Sequence, residues 1–205
     1  MNQKEKILEQ AALVFMQNGI KSVTLDDLAI HLKISKKTFY NYFTNKEDLV
    51  CQALLWYLAQ DKAGIQQELN KHENPIDEII AVSKFAVERL KAIHPSIHYD
   101  LQKYYPKAWA ELEKYKKGFI AEMFMKNLRK GQEKGLYRTN FNPEIVTRLY
   151  IQKIDLIFNP VIFPPSEYPF GKIYLELVLH HIYGVVSKKG YDYLEKKIKI
   201  EKLDI

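Results

Sequence analysis

Helical periodicity is the feature of this sequence that most restricts its fold. In the first periodic stretch, Ile7, Ala11, Val14 and Phe15 fall at i, i+4, i+7 and i+8, so they share one face of a helix. Similar spacing recurs along all 205 residues, and no stretch alternates apolar and polar residues as a half-buried strand does. The sequence therefore predicts an all-α fold of about nine helices.

Capping residues and prolines divide this pattern into separate helices. Thr24 with Asp27, and Thr44 with Glu47, have the spacing of capping boxes, which mark helix starts. The predicted helices run over residues 4–18, 25–32, 36–43, 45–69, 75–93, a short one ending at 104, 106–134, 143–158 and 170–187. The segment NPVIFPPSEYPF is too rich in proline to be helical and is predicted as a loop. The lysine-rich tail YDYLEKKIKIEKLDI fits either a short helix or a frayed end.

Two of the short helices, 25–32 and 36–43, are separated only by the residues KIS. This arrangement is typical of a helix-turn-helix, whose second helix enters the major groove of DNA. Phe39 and Phe43 fall at i and i+4 and are predicted to face inward. The side chains left on the outer face are Lys36, Lys37, Thr38, Tyr40 and Asn41.

The chemistry of this outer face suits DNA. No acidic residue lies between Leu32 and Asn45. Lysine and asparagine side chains can bond base edges, and the hydroxyl groups of threonine and tyrosine can donate to phosphate oxygens. Helix starts at Ser35 and Thr44 add backbone amides that favour an anion. These residues predict a DNA-binding unit.

The segments ILEQAALVFMQNGIKSVT and TLDDLAIHLKISKKTFYNYFTNKEDLV together resemble the DNA-binding domain of the TetR-type transcriptional regulators. The threonine, the FYNYF run and the NKEDL start of the next helix are characteristic of that family. The resemblance implies phosphate contacts by Thr24, Thr38, Tyr40, Tyr42 and Lys46, and base contacts by Lys36, Lys37 and Asn41. Lys33 stands where the family usually has glycine, so a left-handed backbone there would carry strain of about 1 kcal/mol. Lys37 replaces a residue that is commonly small or proline.

The same resemblance implies two domains. Residues 1–48 would form a helix-turn-helix DNA-binding domain of three helices, with a fourth helix over about 45–70 as the linker. Residues 71–205 would form a larger helical domain that binds a small effector and forms a homodimer through the last two long helices. The implied protein is a ligand-responsive repressor that binds a palindromic, double-stranded DNA operator as a homodimer.

The last long helix favours dimerisation on its own account, because the stretch IYLELVLHHIYGVV is apolar nearly all round. One side carries Ile173, Leu177 and Gly184, and another carries Tyr174, Val178, Ile182 and Val185. A helix that is apolar on both faces must be covered on both. In a domain of this size a second subunit is the simplest second cover, and burial within one chain is the alternative.

Aromatic residues make up 13 % of the chain and concentrate in the larger unit. Most are predicted to be core, and some are predicted to line an apolar effector cavity that also holds a few polar groups. The candidate lining residues are Trp109, Phe119, Met123, Tyr150, Ile154 and Phe158, with Gln152 and Asp155 as polar groups. Such a cavity favours a small lipophilic or aromatic effector.

The charge balance favours an anionic partner. The 31 Lys and Arg residues against 25 Asp and Glu residues give a net charge of +6. The single cysteine, Cys51, cannot form an internal disulfide, which fits a reducing compartment. We expect a cytoplasmic protein, because no stretch reads as a signal peptide or reaches the roughly 18–20 apolar residues of a membrane span.

Motifs for catalysis and metal binding are absent from the sequence. It contains no glycine-rich phosphate loop, no GxSxG and no HExxH. His94 and His98 are four residues apart, but Pro95 biases His94 out of helical geometry, so no metal site and no cofactor are expected. A non-enzymatic regulator is the main prediction. The alternatives are a DNA-binding adaptor of the same fold without a small effector, and a small helical enzyme.

Overall fold

The computed structural model describes residues 2–201, and over this range the repetitive structure is helical. The helices are α1 (Gln3–Asn18), α2 (Leu25–Leu32), α3 (Lys36–Tyr40), α4 (Lys46–Leu69), α5 (Pro75–Lys91), α6 (Ile97–Tyr104), α7 (Pro106–Tyr115), α8 (Ala121–Glu133), α9 (Pro143–Leu156), α10 (Phe170–Val185) and α11 (Lys188–Glu201). A π-helical turn, Lys116–Ile120, joins α7 to α8 along the chain. The predicted all-α fold class is confirmed.

Local capping explains most of the helix starts. Asn2 and Glu5 form a capping box at α1, and Thr24 and Asp27 form the predicted one at α2. The capping box predicted from Thr44 and Glu47 is wrong. The side chain of Asn45 accepts from the backbone N–H of Asp48 at 2.9 Å, so α4 begins one residue later than a Thr44 cap would place it.

Other helices also differ from the sequence prediction, most clearly α3 and the helix predicted over residues 106–134. α3 ends at Tyr40 instead of residue 43, because the chain passes into a turn directly after Tyr40. The helix predicted over residues 106–134 is broken by the π-helical turn. The tail after Ser187 is helical through Glu201, and its last lysine, Lys202, lies outside the described residues.

The helices pack into two compact units. The first unit contains the chain up to Ala63 together with residues 92–115, and the second contains residues 64–91 together with the chain from Lys116 onward. In the first unit, buried residues of α6 and α7 such as Leu101 and Ala108 join the core built by α1–α4. This packing therefore divides the chain differently from the predicted domains 1–48 and 71–205, because α6 and α7 contribute their apolar faces to the N-terminal core.

The second unit is built from α5 and α8–α11 with the end of α4, and it contains a buried polar network. The Glu78 carboxylate accepts hydrogen bonds from Lys130 and, at 2.9 Å, from the amide of Asn127. The Asn127 amide also donates to the carbonyl of Pro75 at 2.8 Å, and its oxygen accepts from Tyr137 at 3.0 Å. The network fixes α5 against α8, since each of these buried polar groups has a partner.

Within residues 2–201, no helix is long and apolar enough to cross a membrane. The loop predicted for NPVIFPPSEYPF is confirmed, because residues 157–169 contain only turns and irregular backbone. Within that loop, Val161 is 89 % exposed to solvent.

Candidate nucleic-acid interface

The turn between α2 and α3 determines how α3 is presented. Lys33 ends α2 in a left-handed conformation with φ of 53°, so the strain predicted for this glycine-like position is present. The backbone N–H of Ile34 donates to the carbonyl of Ala29 at 3.0 Å, which closes the end of the helix. The side chain of Ser35 then accepts from the N–H of Thr38 at 3.2 Å and caps α3.

The inner side of α3 is anchored by two phenylalanines. Phe39 and Phe43 are 1 % and 3 % exposed, and their ring centroids are 6.5 Å apart. They belong to the core of the first unit together with Leu28 of α2. The opposite side of this segment is open, since Lys36, Lys37, Tyr40 and Asn41 are exposed.

The exposed side chains of α3 differ in how freely they could meet DNA. Lys36 forms an ion pair with Asp26 of α2 at 2.7 Å, and both side chains are more than half exposed. The hydroxyl of Thr38 is hydrogen-bonded to that of Ser35 at 2.9 Å. Tyr40 is 59 % exposed, which is unusual for so large an aromatic side chain. Tyr40, with Lys37 and Asn41, therefore gives this face its most accessible polar groups.

Thr24 has its hydroxyl committed to the cap of α2. The hydroxyl donates to the Asp27 carboxylate at 2.7 Å and accepts from the backbone N–H of Asp27 at 3.1 Å. Hydrogen bonds from the Thr24 backbone and side chain lower the pKa of Asp27, so its carboxylate stays charged in this arrangement.

Lys46 and Tyr42 are turned toward the protein. The ammonium of Lys46 donates to the carbonyl of Ile20 at 2.7 Å, and burial lowers its pKa although Asp100 and Asp27 oppose that effect. The hydroxyl of Tyr42 donates to the side chain of Gln3 at 3.0 Å. Both side chains therefore hold neighbouring elements together, and their phosphate contacts stay predictions.

Asp100 is a residue of this region that sequence reasoning missed. Its carboxylate is 4 % exposed and accepts from the backbone N–H groups of Ile20 and Lys21, each at 3.0 Å. The hydroxyl of Ser96 donates to the same carboxylate at 3.1 Å. Asp100 thereby ties α6 to the turn before α2. The sequence feature that could have indicated this role is the position of an acid beside Leu101, on the apolar side of a short helix.

The six predicted effector-pocket residues fall in both units. Trp109 packs against the core of the first unit, and its ring lies 4.8 Å from that of His98. The other five, Phe119, Met123, Tyr150, Ile154 and Phe158, belong to the core of the second unit or pack against it. Two surface grooves of the second unit, of about 420 and 450 Å³, are lined by other residues.

Tyr150 lies inside an aromatic cluster. Its ring centroid is 3.9 Å from that of Phe124 and 4.7 Å from that of His181, and its hydroxyl donates to that of Tyr174 at 3.4 Å. Burial raises the pKa of Tyr150 well above its ordinary value. Burial also lowers the pKa of His181 to about 4, with smaller contributions from Lys153 and His180. Both groups are therefore neutral near pH 7.

The residues considered for a metal do not form a site. The imidazole Nδ1 of His94 lies 3.0 Å from the hydroxyl of Ser96, and the ring of His98 stacks edge-on against Trp109. Among the residues described, no group of three or more His, Cys, Asp or Glu side chains is placed to hold a metal ion.

Comparisons with known proteins agree with this arrangement. The model of the family "Bacterial regulatory proteins, tetR family" matches residues 7–53, which contain most of α1, all of α2 and α3, and the start of α4. The uncharacterized HTH-type transcriptional regulator YvaF of Bacillus subtilis (strain 168) is 26 % identical over 191 residues, covering 92 % of this chain and 98 % of that protein. The HTH-type transcriptional repressor KstR2 of Mycobacterium tuberculosis is 22 % identical over 200 residues, covering 92 % of this chain and 95 % of that protein.

Solved structures share the fold over nearly the same length. The ketosteroid transcriptional regulator KstR2 of Mycobacterium tuberculosis has a TM-score of 0.59 at 19 % identity, covering 91 % of this chain and 96 % of that one. A TetR-family transcriptional regulator from Agrobacterium tumefaciens has a TM-score of 0.72 at 12 % identity, covering 90 % of this chain and 98 % of that one. Residues 7–53 therefore carry the DNA-binding region of the tetR family of bacterial regulatory proteins, and the relatives that match nearly the whole chain support a TetR-family transcriptional regulator.

Proposed function

We propose that this regulator is a homodimeric repressor that binds a palindromic operator and releases it when a small effector binds. The observation that carries the DNA-binding part is the outer face of α3, where Lys37, Tyr40 and Asn41 are exposed opposite the buried Phe39. Base edges would be read by Lys36, Lys37 and Asn41, and phosphates would be met by Thr24, Thr38, Tyr40, Tyr42 and Lys46.

The repressor assignment follows the named function of a relative. KstR2, which matches nearly the whole chain, is named a transcriptional repressor. A dimer would present two copies of α3 to one face of the duplex, separated by about 34–36 Å, which is one turn of DNA. An effector would act by favouring a dimer in which this separation no longer matches the operator.

Dimerisation is supported by exposed apolar side chains on α9. Ile145, Leu149 and Leu156 are 57 %, 56 % and 45 % exposed, and their i, i+4 and i+11 spacing places them on one side of the helix. On α10, Gly184 is exposed and a Cβ placed there would meet nothing within 4 Å. Such a surface allows close approach of a second helix, so we place the contact with the second subunit on α9 and α10.

The effector is proposed to be small and lipophilic or aromatic, because the second unit's core is rich in aromatic side chains. A second candidate is a regulator of the same fold that answers to no small molecule. The close packing of Tyr150 and Met123, which are 1 % and 6 % exposed, favours this second candidate, because a ligand reaching them would have to displace their neighbours.

Substitutions on α3 test the DNA-binding part. Lys37→Ala should change which bases the protein prefers, whereas Tyr40→Phe, which removes a neutral phosphate contact, should weaken binding to all sequences alike. The measurement is fluorescence anisotropy with duplexes selected by the protein from random sequence. Lys126→Ala is the matched control, because it removes one exposed charge from α8 in the second unit. An unchanged base preference in Lys37→Ala would show that base reading has been assigned to the wrong residue.

A thermal-shift screen separates the two candidates for effector response. A lipophilic compound that binds only the folded protein raises its melting temperature in proportion to the logarithm of its concentration. A compound that does so and also releases the operator would support the ligand-responsive repressor. Failure of every lipophilic and aromatic compound in a broad panel would favour the regulator without an effector.

A further inference from the structure

The outer surface of α6 and the turn after α1 together carry two lysines and two tyrosines that lie outside the helices α2 and α3. They are Lys21, from the turn after α1, and Tyr99, Lys103 and Tyr104 of α6, and we call them the α6 patch. We propose that the α6 patch binds backbone phosphates of duplex DNA immediately outside the half-site that α3 contacts. This inference rests on the proposed DNA-binding function and adds to it a second phosphate-binding surface.

The geometry of the patch holds two ammonium groups in place. The ammonium of Lys21 lies 4.3 Å from the centroid of the Tyr104 ring and donates to the Tyr104 hydroxyl at 2.9 Å. The ammonium of Lys103 lies 5.0 Å from the Tyr99 centroid and 5.5 Å from that of Tyr104. The two tyrosine rings meet edge to face with centroids 6.1 Å apart. Aromatic faces attract a cation without cancelling its charge, so the lysines are positioned and remain positive.

The patch lacks a carboxylate that would neutralise it. Across the part of the chain that the structure describes, no acidic side chain lies within 4.0 Å of the ammonium of Lys21 or Lys103. The nearby carboxylate of Asp100 is buried and already accepts from the backbone N–H groups of Ile20 and Lys21 and from Ser96. Lys126 on α8 is an exposed lysine that, in contrast, pairs with Glu122 at 2.6 Å.

The position of the patch connects it to the predicted phosphate contacts. Lys21 lies three residues before Thr24, which caps α2. Lys46 at the start of α4 donates to the carbonyl of Ile20, the residue before Lys21, and lies 5.8 Å from the ring of Tyr105. Lys21 therefore lies on the turn between α1 and α2 that also receives the hydrogen bond from Lys46 at the start of α4.

A DNA backbone is the partner that this placement favours. A strand of duplex DNA presents one phosphate every ~3.4 Å along the helix axis, so a strand leaving the α2 contact offers further phosphates to a neighbouring basic surface. Lysine ammonium groups and tyrosine hydroxyls are common phosphate ligands and carry no sequence information. The patch should therefore add affinity and salt dependence but leave base preference unchanged.

The test compares two duplexes that share one selected operator. The short duplex ends at the half-sites, and the long one extends each end by about one helical turn, ~10 base pairs. Binding of the full chain to each is measured by fluorescence anisotropy over a series of salt concentrations. The variant is Lys21→Ala with Lys103→Ala, and its matched control is Lys126→Ala with Lys188→Ala, which removes two exposed charges from the second unit. A Lys21→Arg, Lys103→Arg variant retains the charges.

We expect the alanine variant to bind the long duplex at least tenfold more weakly than the wild-type chain does. Its slope of log K against log salt should fall by about 0.9 for each phosphate that the variant no longer neutralises, while its binding to the short duplex matches the control. The arginine variant should retain most of the wild-type slope. An alanine variant that matches the control on both duplexes, or is weakened equally on both, would overturn the flanking contact. If the wild-type chain binds neither duplex, the proposed DNA-binding function itself fails.

Discussion

At the scale of single residues, Lys33 shows how the helix-turn-helix tolerates a local strain. Its left-handed backbone, with φ of 53°, is a conformation that glycine adopts without a steric penalty. Lys33 adopts this conformation despite its steric cost because the conformation directs the chain from α2 into α3, where Phe39 is buried in the core. The turn is therefore specified by packing on both sides and not by the residue at its centre.

We predict that Lys33→Gly raises the free energy of unfolding by no more than about 0.5 kcal/mol, because the relieved strain of about 1 kcal/mol is offset in part by the greater freedom of glycine in the unfolded chain, about 0.5–1 kcal/mol. Urea unfolding followed by circular dichroism measures the change. Gly135 offers the reverse experiment, because its φ is 66° and a Cβ there would meet no atom within 4 Å. Gly135→Ala should therefore lower stability by about 1 kcal/mol. A destabilised Lys33→Gly protein would contradict this account of the turn.

His181 makes the stability of the second unit depend on pH. Burial lowers its pKa from 6.5 to about 4 in the folded protein. The unfolded chain therefore takes up a proton below about pH 6.5, whereas the folded protein resists doing so until about pH 4. The free energy of unfolding is therefore highest above about pH 6.5. It falls by about 3 kcal/mol in total as the pH decreases toward 4.

Unfolding experiments between pH 4 and 7 test this dependence. His181→Gln should flatten the curve of stability against pH in this interval, because the titrating group is gone. His180→Gln should change the curve only slightly, because burial and not the neighbouring His180 is the main cause of the lowered His181 pKa. If both variants retained the full dependence, the titrating group would have to be another residue.

At the scale of elements, α6 is attached to the turn before α2 by one buried carboxylate. Asp100 accepts three hydrogen bonds, from two backbone amides and one hydroxyl, at 3.0–3.1 Å. The turn itself contains Gly19 with φ of 82°, where an added Cβ would lie 2.6 Å from the hydroxyl oxygen of Ser96. The close approach of α6 therefore depends on glycine at that position and on the acid that faces it.

Asp100→Asn should lower the free energy of unfolding by about 2 kcal/mol, because a neutral amide accepts less strongly and places donor hydrogens against backbone donors. Thermal and urea unfolding measure the loss. Asp26→Asn is the matched control: it breaks only the exposed ion pair with Lys36 and should change stability by less than about 0.5 kcal/mol. Equal small effects of the two substitutions would show that α6 is held by its apolar contacts alone.

The elements that were predictable from sequence are those whose cause is local. α2 was predicted with its observed bounds because Thr24 and Asp27 specify its start within four residues. The inward orientation of Phe39 and Phe43 followed from helical spacing. The role of Asp100 could not be predicted, because its backbone partners lie 79 and 80 residues away. The same holds for the packing of residues 92–115 with the N-terminal helices, since it depends on contacts between distant segments.

The candidate DNA-binding site also has some features that could be predicted from the sequence and others that could not. Exposure of Lys37, Tyr40 and Asn41 followed from the period of α3. The inward turn of Lys46 and the bond from Tyr42 to Gln3 were not predictable, because each depends on a group supplied by another helix or turn. The family motif therefore indicates which side chains are candidates for DNA contact, and tertiary packing determines which of them are exposed to meet it.

At the scale of the whole molecule, the proposed dimer depends on the exposed apolar side of α9. Leu149→Glu should yield a monomer in sedimentation and weaken operator binding by at least an order of magnitude, because two half-sites can no longer be bound together. The side chain is 56 % exposed, so the fold of the single chain should tolerate the change. Leu13→Glu is the control, since Leu13 is 43 % exposed on α1 in the first unit. A Leu149→Glu protein that remained dimeric would place the interface elsewhere.

Selection from random duplex DNA tests the central claim most directly, namely that a pair of α3 helices reads the operator. The retained sequences should converge on a palindrome whose half-sites are about one helical turn apart, ~10 base pairs or a multiple of it. A Lys37→Ala protein should converge on a different sequence with the same spacing. Retention of no preferred sequence, or of a single half-site without symmetry, would contradict the claim.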